Sequence, residues 1–269
     1  LEEPKAPGAA PTAGKITTGR GLKVAVFTDN EVKSTDISIA TVKKNTVKPD
    51  TVANRVAELP LRIANEILSQ RFSKLSLKEK SSILKGSSSD MVLFKEIALN
   101  GVDVTAKGDN WEDALDVLVT EHQRALQHGF TKKELNEVKA ALLSTYKNQV
   151  KKQASRKSPD LASALVQNYH SKTVFSTAET DLRIIEMALS KITAETCHKA
   201  FKKAWNTEDI NLILTTKTKE QGMEKLLTDS YRKLSKKKTT APKIEKSTSF
   251  AYNEFGSAGK VTKSNHVKD

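Results

Sequence analysis

The first part of the chain alternates between short apolar runs and a longer apolar stripe at helical spacing. Residues 22–28 (Leu-Lys-Val-Ala-Val-Phe-Thr) are apolar on both faces, a pattern typical of an interior strand. Ile37 and Ile39 alternate with polar residues and predict a second strand, which we expect to pair with the first. Between Thr51 and Ser76 the apolar positions recur at helical spacing, which predicts a helix that Pro60 kinks or restarts.

Two further strands are predicted over residues 81–90 and 95–107, the first rich in serine. Asn100-Gly101 marks either a hairpin turn or a bulge within one strand. The C-terminal half is mostly helical: helices are expected over 109–129, from the Thr131–Glu134 capping box onward, after Ser158-Pro159, from 176 to 192 and from 193 to 205, followed by a strand at Ile210–Thr216 and a helix at 218–234. The pattern predicts an α/β (α+β) sandwich in which a mostly antiparallel sheet packs against several helices.

Composition changes at both ends of this region. Residues 1–21 are rich in proline and glycine with almost no large apolar side chain, so we expect a linker there. Residues 22–231 form one predicted domain, and residues 232–269 form a basic linker or tail. No run reaches the roughly 20 apolar residues of a membrane-spanning helix, so we expect a soluble chain and leave its compartment open.

The charge balance raises one alternative function. The chain carries 45 Lys and Arg against 32 Asp and Glu, a formal net charge of +13, which makes nucleic acid or another anionic surface a partner to consider. The densest basic run, residues 232–246, has only Tyr231 beside it, whereas single-strand binders interleave basic and aromatic residues. We therefore keep a basic binding module as the alternative and regard nucleic acid as the less favoured partner.

Residues with catalytic or metal-binding chemistry do not form a recognisable set. Neither H-E-x-x-H nor H-x-x-E-H is present, and no histidine has another three or four positions away. His122 and His128 share a predicted helix, but six residues at about 100° each place them about 120° apart around its axis. Cys197 and His198 point apart on adjacent helical positions, and Cys197 lies on an apolar stripe. We therefore assign this chain no catalytic residue, no metal ligand and no cofactor.

Several local strings, in their order and spacing, resemble the pitrilysin/insulinase family of zinc metallopeptidases. Residues 111–135, which include Glu121-His-Gln-Arg124 and His128-Gly-Phe-Thr-Lys-Lys-Glu-Leu135, resemble its paired helices, in which a helix closing in "hGfT" is followed at once by a capped helix. Leu68-Ser-Gln-Arg71-Phe72 resembles the family's "lN.Rl" helix end, and residues 193–216 resemble its closing helix and strand. The resemblance covers residues 22–217.

This resemblance implies a companion domain rather than a catalytic one. In the family, repeated α/β domains form two bowl-shaped halves around a chamber, and only the first domain carries H-x-x-E-H. The resemblance implies a non-catalytic, substrate-chamber domain of a larger peptidase that degrades peptides or small proteins, with zinc in the parent's catalytic domain and the other domains and an extended peptide as partners. A periplasmic location is compatible with it. The proline-rich start departs from the family pattern, so we expect a fragment in which part of the sheet is either missing or supplied from elsewhere.

The resemblance also indicates a candidate site. In relatives, the second domain can hold an edge strand that anchors an extended substrate away from the metal, and main-chain pairing accepts many sequences. By position, this strand is the serine-rich one, and the candidate contacts are Ser82, Leu84, Gly86 and Ser88. The same serines are also compatible with a simple solvated edge.

Overall fold

The fold combines one five-stranded sheet with seven α-helices. The computed structural model describes residues 16–218 and 220–242, together with residues 256, 259 and 260. Its elements are β1 (Lys23–Thr28), β2 (Asp36–Lys44), α1 (Val52–Ser76), β3 (Ile83–Leu93), β4 (Ile97–Ala106), α2 (Trp111–His128), α3 (Lys132–Lys151), a short 3-10 helix (Gln153–Ser155), α4 (Ser158–Ser171), α5 (Ala178–Lys191), α6 (Ala194–Ala204), β5 (Ile210–Thr216) and α7 (Met223–Ser235). The predicted fold class is confirmed.

The strand order of the sheet is β1-β5-β2-β4-β3. The last strand, β5, lies between the first two, parallel to β1 and antiparallel to β2. The expectation that β1 is an interior strand paired with β2 is therefore wrong, because within the described residues β1 pairs only with β5. Nothing in the local pattern of β1 reports a partner that lies almost 190 residues away.

The exposed carboxylate of Asp209, just before β5, binds the backbone just before β1. The backbone N–H groups of Gly19, Arg20 and Gly21 donate to the side chain of Asp209 at 2.9, 2.6 and 3.0 Å. Gly19 and Gly21 have φ of 75° and 64°, a conformation that turns successive N–H groups toward one anion. These hydrogen bonds hold the pKa of Asp209 below its ordinary value.

One face of the sheet supplies the core. Alternate residues of the three inner strands are buried: Ile37 and Ile39, Val102 and Val104, Leu212 and Leu214. They join the apolar sides of the helices in a single cluster, in which Phe72 of α1 and Phe201 of α6 are fully buried. The intervening strand residues are partly exposed, so the other face of the sheet is more open.

Two predicted irregularities are resolved differently from the sequence expectation. Helix α1 is continuous with Pro60 inside it, so the predicted restart is wrong. Asn100-Gly101 lies within β4, where Asn100 donates from Nδ2 to Oγ1 of Thr41 at 3.1 Å, and it forms neither a hairpin turn nor an irregularity in the pairing. The β3–β4 turn instead uses Phe94 and Lys95, with φ of 51° and 63°. Strand pairing on both sides of β4 therefore overrides the local preference of Asn-Gly for a turn.

Arg71 of α1 connects this helix to α2 and α3, the paired helices on which the family resemblance rests. Its Nε and Nη2 donate to the two carboxylate oxygens of Glu134 at 2.6 and 2.9 Å, and Nη2 also donates to the carbonyl of Gly129 at 2.9 Å. The guanidinium lies 5.3 Å from the ring centroid of Phe130. Glu134 is also the second member of the predicted capping box, because it accepts from the backbone N–H of Thr131 at 2.8 Å. A single ion pair thus fixes the end of α2, the start of α3 and the last third of α1.

His122 of α2 is buried among aromatic side chains. The His122 side chain is buried against Trp205 and Phe201, with ring centroids 4.1 and 5.9 Å apart. Neither ring nitrogen has a hydrogen-bond partner in the described part of the chain. Burial lowers the pKa of His122 from 6.5 to about 3, because a charged imidazolium cannot be solvated there.

Replacing Arg71 by Ala is expected to destabilise the fold strongly, because it removes a buried guanidinium and leaves the half-buried carboxylate of Glu134 without its counter-ion. The expected loss in the free energy of unfolding is about 3–5 kcal/mol, measured by urea denaturation near neutral pH. Lys74→Ala is the matched control on the same helix, since it breaks the more exposed pair with Glu137 and is expected to cost about 0–1 kcal/mol. Equal losses for the two variants would contradict the role given to Arg71.

The stability of the protein is expected to fall as the pH drops below 6.5. The folded-state pKa of His122, about 3, lies below its value of 6.5 when exposed, so the unfolded state takes up a proton first. The stabilisation is complete above pH 6.5 and declines between 6.5 and 3 by up to about 1.4 kcal/mol per pH unit. Unfolding free energies of His122→Phe should show a shallower acid slope than the parent chain, whereas His170→Gln, at an exposed histidine, should keep it. An unchanged slope in His122→Phe would contradict this assignment.

Candidate functional site

The serine-rich strand lies at the edge of the sheet. Within the described residues β3 pairs only with β4, in antiparallel register with Ser88 opposite Val102. The four candidate residues follow one another along this edge but differ in exposure: Leu84 is 56% exposed, Ser82 and Gly86 are partly buried, and Ser88 is buried. Ser82 precedes the strand, and the pairing is irregular between Ile83 and Lys85, next to Leu84.

Helix α1 already occupies the edge at Ser88. The backbone N–H of Ser88 donates to Oγ of Ser69 at 2.9 Å, and its carbonyl oxygen lies 3.2 Å from the same hydroxyl. The Ser88 hydroxyl donates to Oδ1 of Asn65 at 2.8 Å. Both main-chain groups of Ser88 are therefore satisfied within the domain, and a peptide could pair there only after Ser69 moved away.

Gly86 is fixed by packing. A Cβ atom at this position would lie 2.9 Å from Phe72 Cγ and 2.9 Å from Val104 Cγ1, closer than real Cβ atoms come to other atoms. A side chain at residue 86 would displace the core side of β3. Substituting Gly86 therefore tests the packing of the strand and gives no clear information on peptide binding.

The more open part of the edge is further along β3 than the sequence argument indicated. All residues from Ser89 to Leu93 are exposed, including Met91 and Val92 at 51% and 54%. Main-chain direction alternates along a strand, so Asp90 and Val92 direct their N–H and C=O groups to the same side as Ser88, away from β4. The sequence signal that could have shown this is the apolar run Met-Val-Leu-Phe at 91–94, whose four side chains are all exposed in the structure.

The remaining chemistry in the described residues does not form a catalytic centre. No group of three or more His, Cys, Asp or Glu side chains among them could hold a metal ion. Burial raises the pKa of the Cys197 thiol to about 11, so the thiolate needed for nucleophilic attack is scarce at neutral pH. Its neighbour His198 instead contacts the carbonyl of Leu126 through Nε2 at 2.9 Å.

Part of the basic C-terminal run lies against α2. Arg124 donates from Nε to the carbonyl of Thr240 at 3.0 Å, Gln127 Nε2 donates to the carbonyl of Lys237 at 3.2 Å, and Lys237 Nζ lies 3.5 Å from Asp116. Residues 243–255, 257–258 and 261–269 of the predicted tail, and residues 1–15 of the predicted N-terminal linker, lie outside the described residues. In the described part of the chain, no helix combines the length and the apolar character needed to span a membrane.

Comparison with known proteins relates the chain to a domain family found in peptidases. A family model described as "Peptidase M16 inactive domain" matches residues 4–142, more than half of the 269 residues. The curated Escherichia coli (strain K12) protein "Probable zinc protease PqqL" is 26% identical over 149 residues, which cover 55% of this chain and 16% of that protein. The chain thus spans only a small part of this relative.

Solved structures show the same fold. The crystal structure of the first half of the periplasmic protease PqqL from E. coli superposes with a TM-score of 0.76 at 19% identity, covering 88% of this chain and 52% of that one. The structure of the periplasmic protease PqqL itself gives 0.77 at 19% identity, covering 88% of this chain and 27% of that one. A predicted insulinase family protease from Yersinia pestis gives 0.64 at 14% identity, with 85% and 50% covered. With the fold and more than half of the sequence matched, the chain belongs to the peptidase M16 inactive-domain family.

Proposed function

We propose that this chain is the non-catalytic substrate-chamber domain of a larger zinc-dependent peptidase that degrades peptides or small proteins. Two observations support the proposal: the family is described as inactive, and the chain covers about half of a structure that is itself half of a protease. The zinc then belongs to a catalytic domain elsewhere in the parent protein. The other domains of that protein are its structural partners, and a periplasmic location follows the similar protease from E. coli.

In this proposal, the substrate peptide binds along the open edge of β3. A peptide that adds as a strand beside Asp90 and Val92 gains main-chain hydrogen bonds that do not depend on its side chains. This suits a protease chamber, which must accept many sequences. The proposed contact is therefore centred on the exposed residues 89–93, and it reaches the four candidate residues, Ser82, Leu84, Gly86 and Ser88, only if Ser69 moves away from Ser88.

Replacing Val92 by Pro is expected to weaken the binding of an extended peptide about 3- to 10-fold. Proline removes the N–H that faces the peptide, and an edge strand tolerates it because that group is not part of the β3–β4 ladder. Val92→Ala is the matched control, since it removes the same side chain and keeps the N–H. The measurement is fluorescence anisotropy of a short labelled peptide with the 269-residue chain and both variants, after circular dichroism has established that each is folded.

Equal affinities of Val92→Pro and Val92→Ala would contradict pairing along β3. The same titration repeated at rising salt separates the alternative function, because a module that binds anions through several Lys and Arg contacts loses affinity steeply with salt. If the affinity falls steeply with salt and is the same in Val92→Pro as in the parent chain, the basic binding module is favoured.

The isolated chain is expected to show no zinc-dependent hydrolysis of casein. Within the described residues there is no cluster of side chains to hold the ion, and the sequence lacks the histidine-glutamate motif of a zinc hydrolase. The measurement is release of labelled casein fragments with and without added zinc, alongside metal content after dialysis. Metal-dependent turnover by the purified chain would contradict the non-catalytic assignment.

A further inference from the structure

We propose that a cavity beside the open part of β3 is a side-chain subsite that takes a lysine or arginine of the bound peptide. This inference rests on the proposed function for the path of the peptide along β3. Nothing in the resemblance to other proteases specifies a charge preference here. It follows from the walls of the cavity, from its position beside Asp90 and from its local charge.

The cavity lies between three helices and the edge strand. Its volume is about 290 Å³, and it is lined by residues of α1, α3, α5 and β3. This volume lies at the lower end of the range of small-molecule pockets, about 300–1,000 Å³, and leaves room for one long side chain. Leu59 and Ile185 are buried in its wall, and Tyr146 and Ile184 lie beside them, which provides apolar contact for the methylene groups of such a side chain.

One guanidinium in the cavity wall is already neutralised. Arg55 donates to both carboxylate oxygens of Asp50 at 2.7 and 2.5 Å, and its Nη1 donates to Asp181 at 3.3 Å and to Ser176 at 3.1 Å. The hydrogen bonds from Arg55 hold the pKa of Asp50 at about 2, so this carboxylate stays ionised. Two carboxylates thus surround one cation, and Arg55 has little positive charge to offer a ligand.

The other charges leave the cavity negative within a basic chain. Glu58 and Asp90 line it together with Arg62, and Arg62 also borders a neighbouring cavity that contains Glu66. Glu58 makes no hydrogen bond or ion pair with the described residues, and Asp90 accepts one hydrogen bond, from Nδ2 of Asn65 at 2.7 Å. With the two partners of Arg55 counted, four carboxylates, Asp50, Glu58, Asp90 and Asp181, surround two guanidinium groups, Arg55 and Arg62. The whole chain has a net charge of +13, so this negative site is local and would favour a cationic side chain.

The position of Asp90 links the cavity to the peptide path. Its side chain lies on the helix side of the sheet, where it meets Asn65, while its main-chain groups face the open edge. In a peptide strand added beside β3, every second side chain points to that same helix side. A basic residue should therefore be favoured only at alternate positions of the peptide.

The test compares peptides with arginine, alanine or glutamate at one central position. We expect the arginine peptide to bind about 3- to 10-fold more tightly than the glutamate peptide by anisotropy at constant ionic strength. Moving the same arginine by one residue, with the register held by the rest of the sequence, should remove the preference. Glu58→Gln and Asp90→Asn should each reduce it, whereas Glu186→Gln, an exposed carboxylate of α5 outside the cavity, should leave it unchanged.

The alanine peptide separates failure of this inference from failure of the proposed function. If it remains sensitive to Val92→Pro but the arginine and glutamate peptides bind equally, the subsite is wrong and pairing along β3 stands. A preference that persists in full in both Glu58→Gln and Asp90→Asn also overturns the subsite. If no peptide binds, or none responds to Val92→Pro, the peptide path is wrong and the subsite falls with it.

Discussion

The ion pair between Arg71 and Glu134 is the contact on which the helical layer depends. Glu134 caps α3 through Thr131, and Arg71 donates both to this carboxylate and to the carbonyl of Gly129, the first residue after α2. Asn65 and Ser69 of the same helix bond to Ser88 of β3, and Arg71 lies two residues after Ser69, about 200° further around the helix axis. The geometry of the sheet edge therefore depends on a contact on the far side of the helix.

This dependence gives a physical reason for the strings on which the resemblance was based. "Leu-Ser-Gln-Arg-Phe" on α1 and "His-Gly-Phe-Thr-Lys-Lys-Glu" between α2 and α3 are separated by about 60 residues, yet they contribute Arg71, Gly129, Phe130 and Glu134 to one cluster. Gly129 has φ of 69°, and a Cβ there would lie 2.7 Å from the ring of His198, so both conformation and packing favour glycine. The two strings, although far apart in sequence, therefore correspond to one contact in the folded structure.

The sequence predicted elements whose determinants are local and missed those that depend on distant partners. The capping box at Thr131, the helix beginning at Ser158 and strand Ile210–Thr216 were identified because caps, proline and alternation act within a few residues. The place of β5 between β1 and β2 depends on pairing between strands far apart in sequence, and the turn at Phe94-Lys95 depends on the register between β3 and β4. The same holds for the candidate site. The resemblance indicated the serine-rich edge strand. The contact of Ser69 with Ser88 and the charged cavity depend on how α1, α3 and α5 pack against that strand, which the sequence does not show.

The position of β5 has a consequence for how the chain acquires its structure. Strands β2, β4 and β3 can form a three-stranded antiparallel sheet once residue 106 has been made, but β1 has no neighbour in that sheet until β5 enters between β1 and β2. A chain growing from its N-terminus therefore leaves β1 and one edge of β2 unpaired through the synthesis of about a hundred further residues. Long-range closure of this kind slows folding and prolongs the exposure of strand edges to other chains. The sheet is then completed when β5 inserts between β1 and β2, which are synthesised long before it.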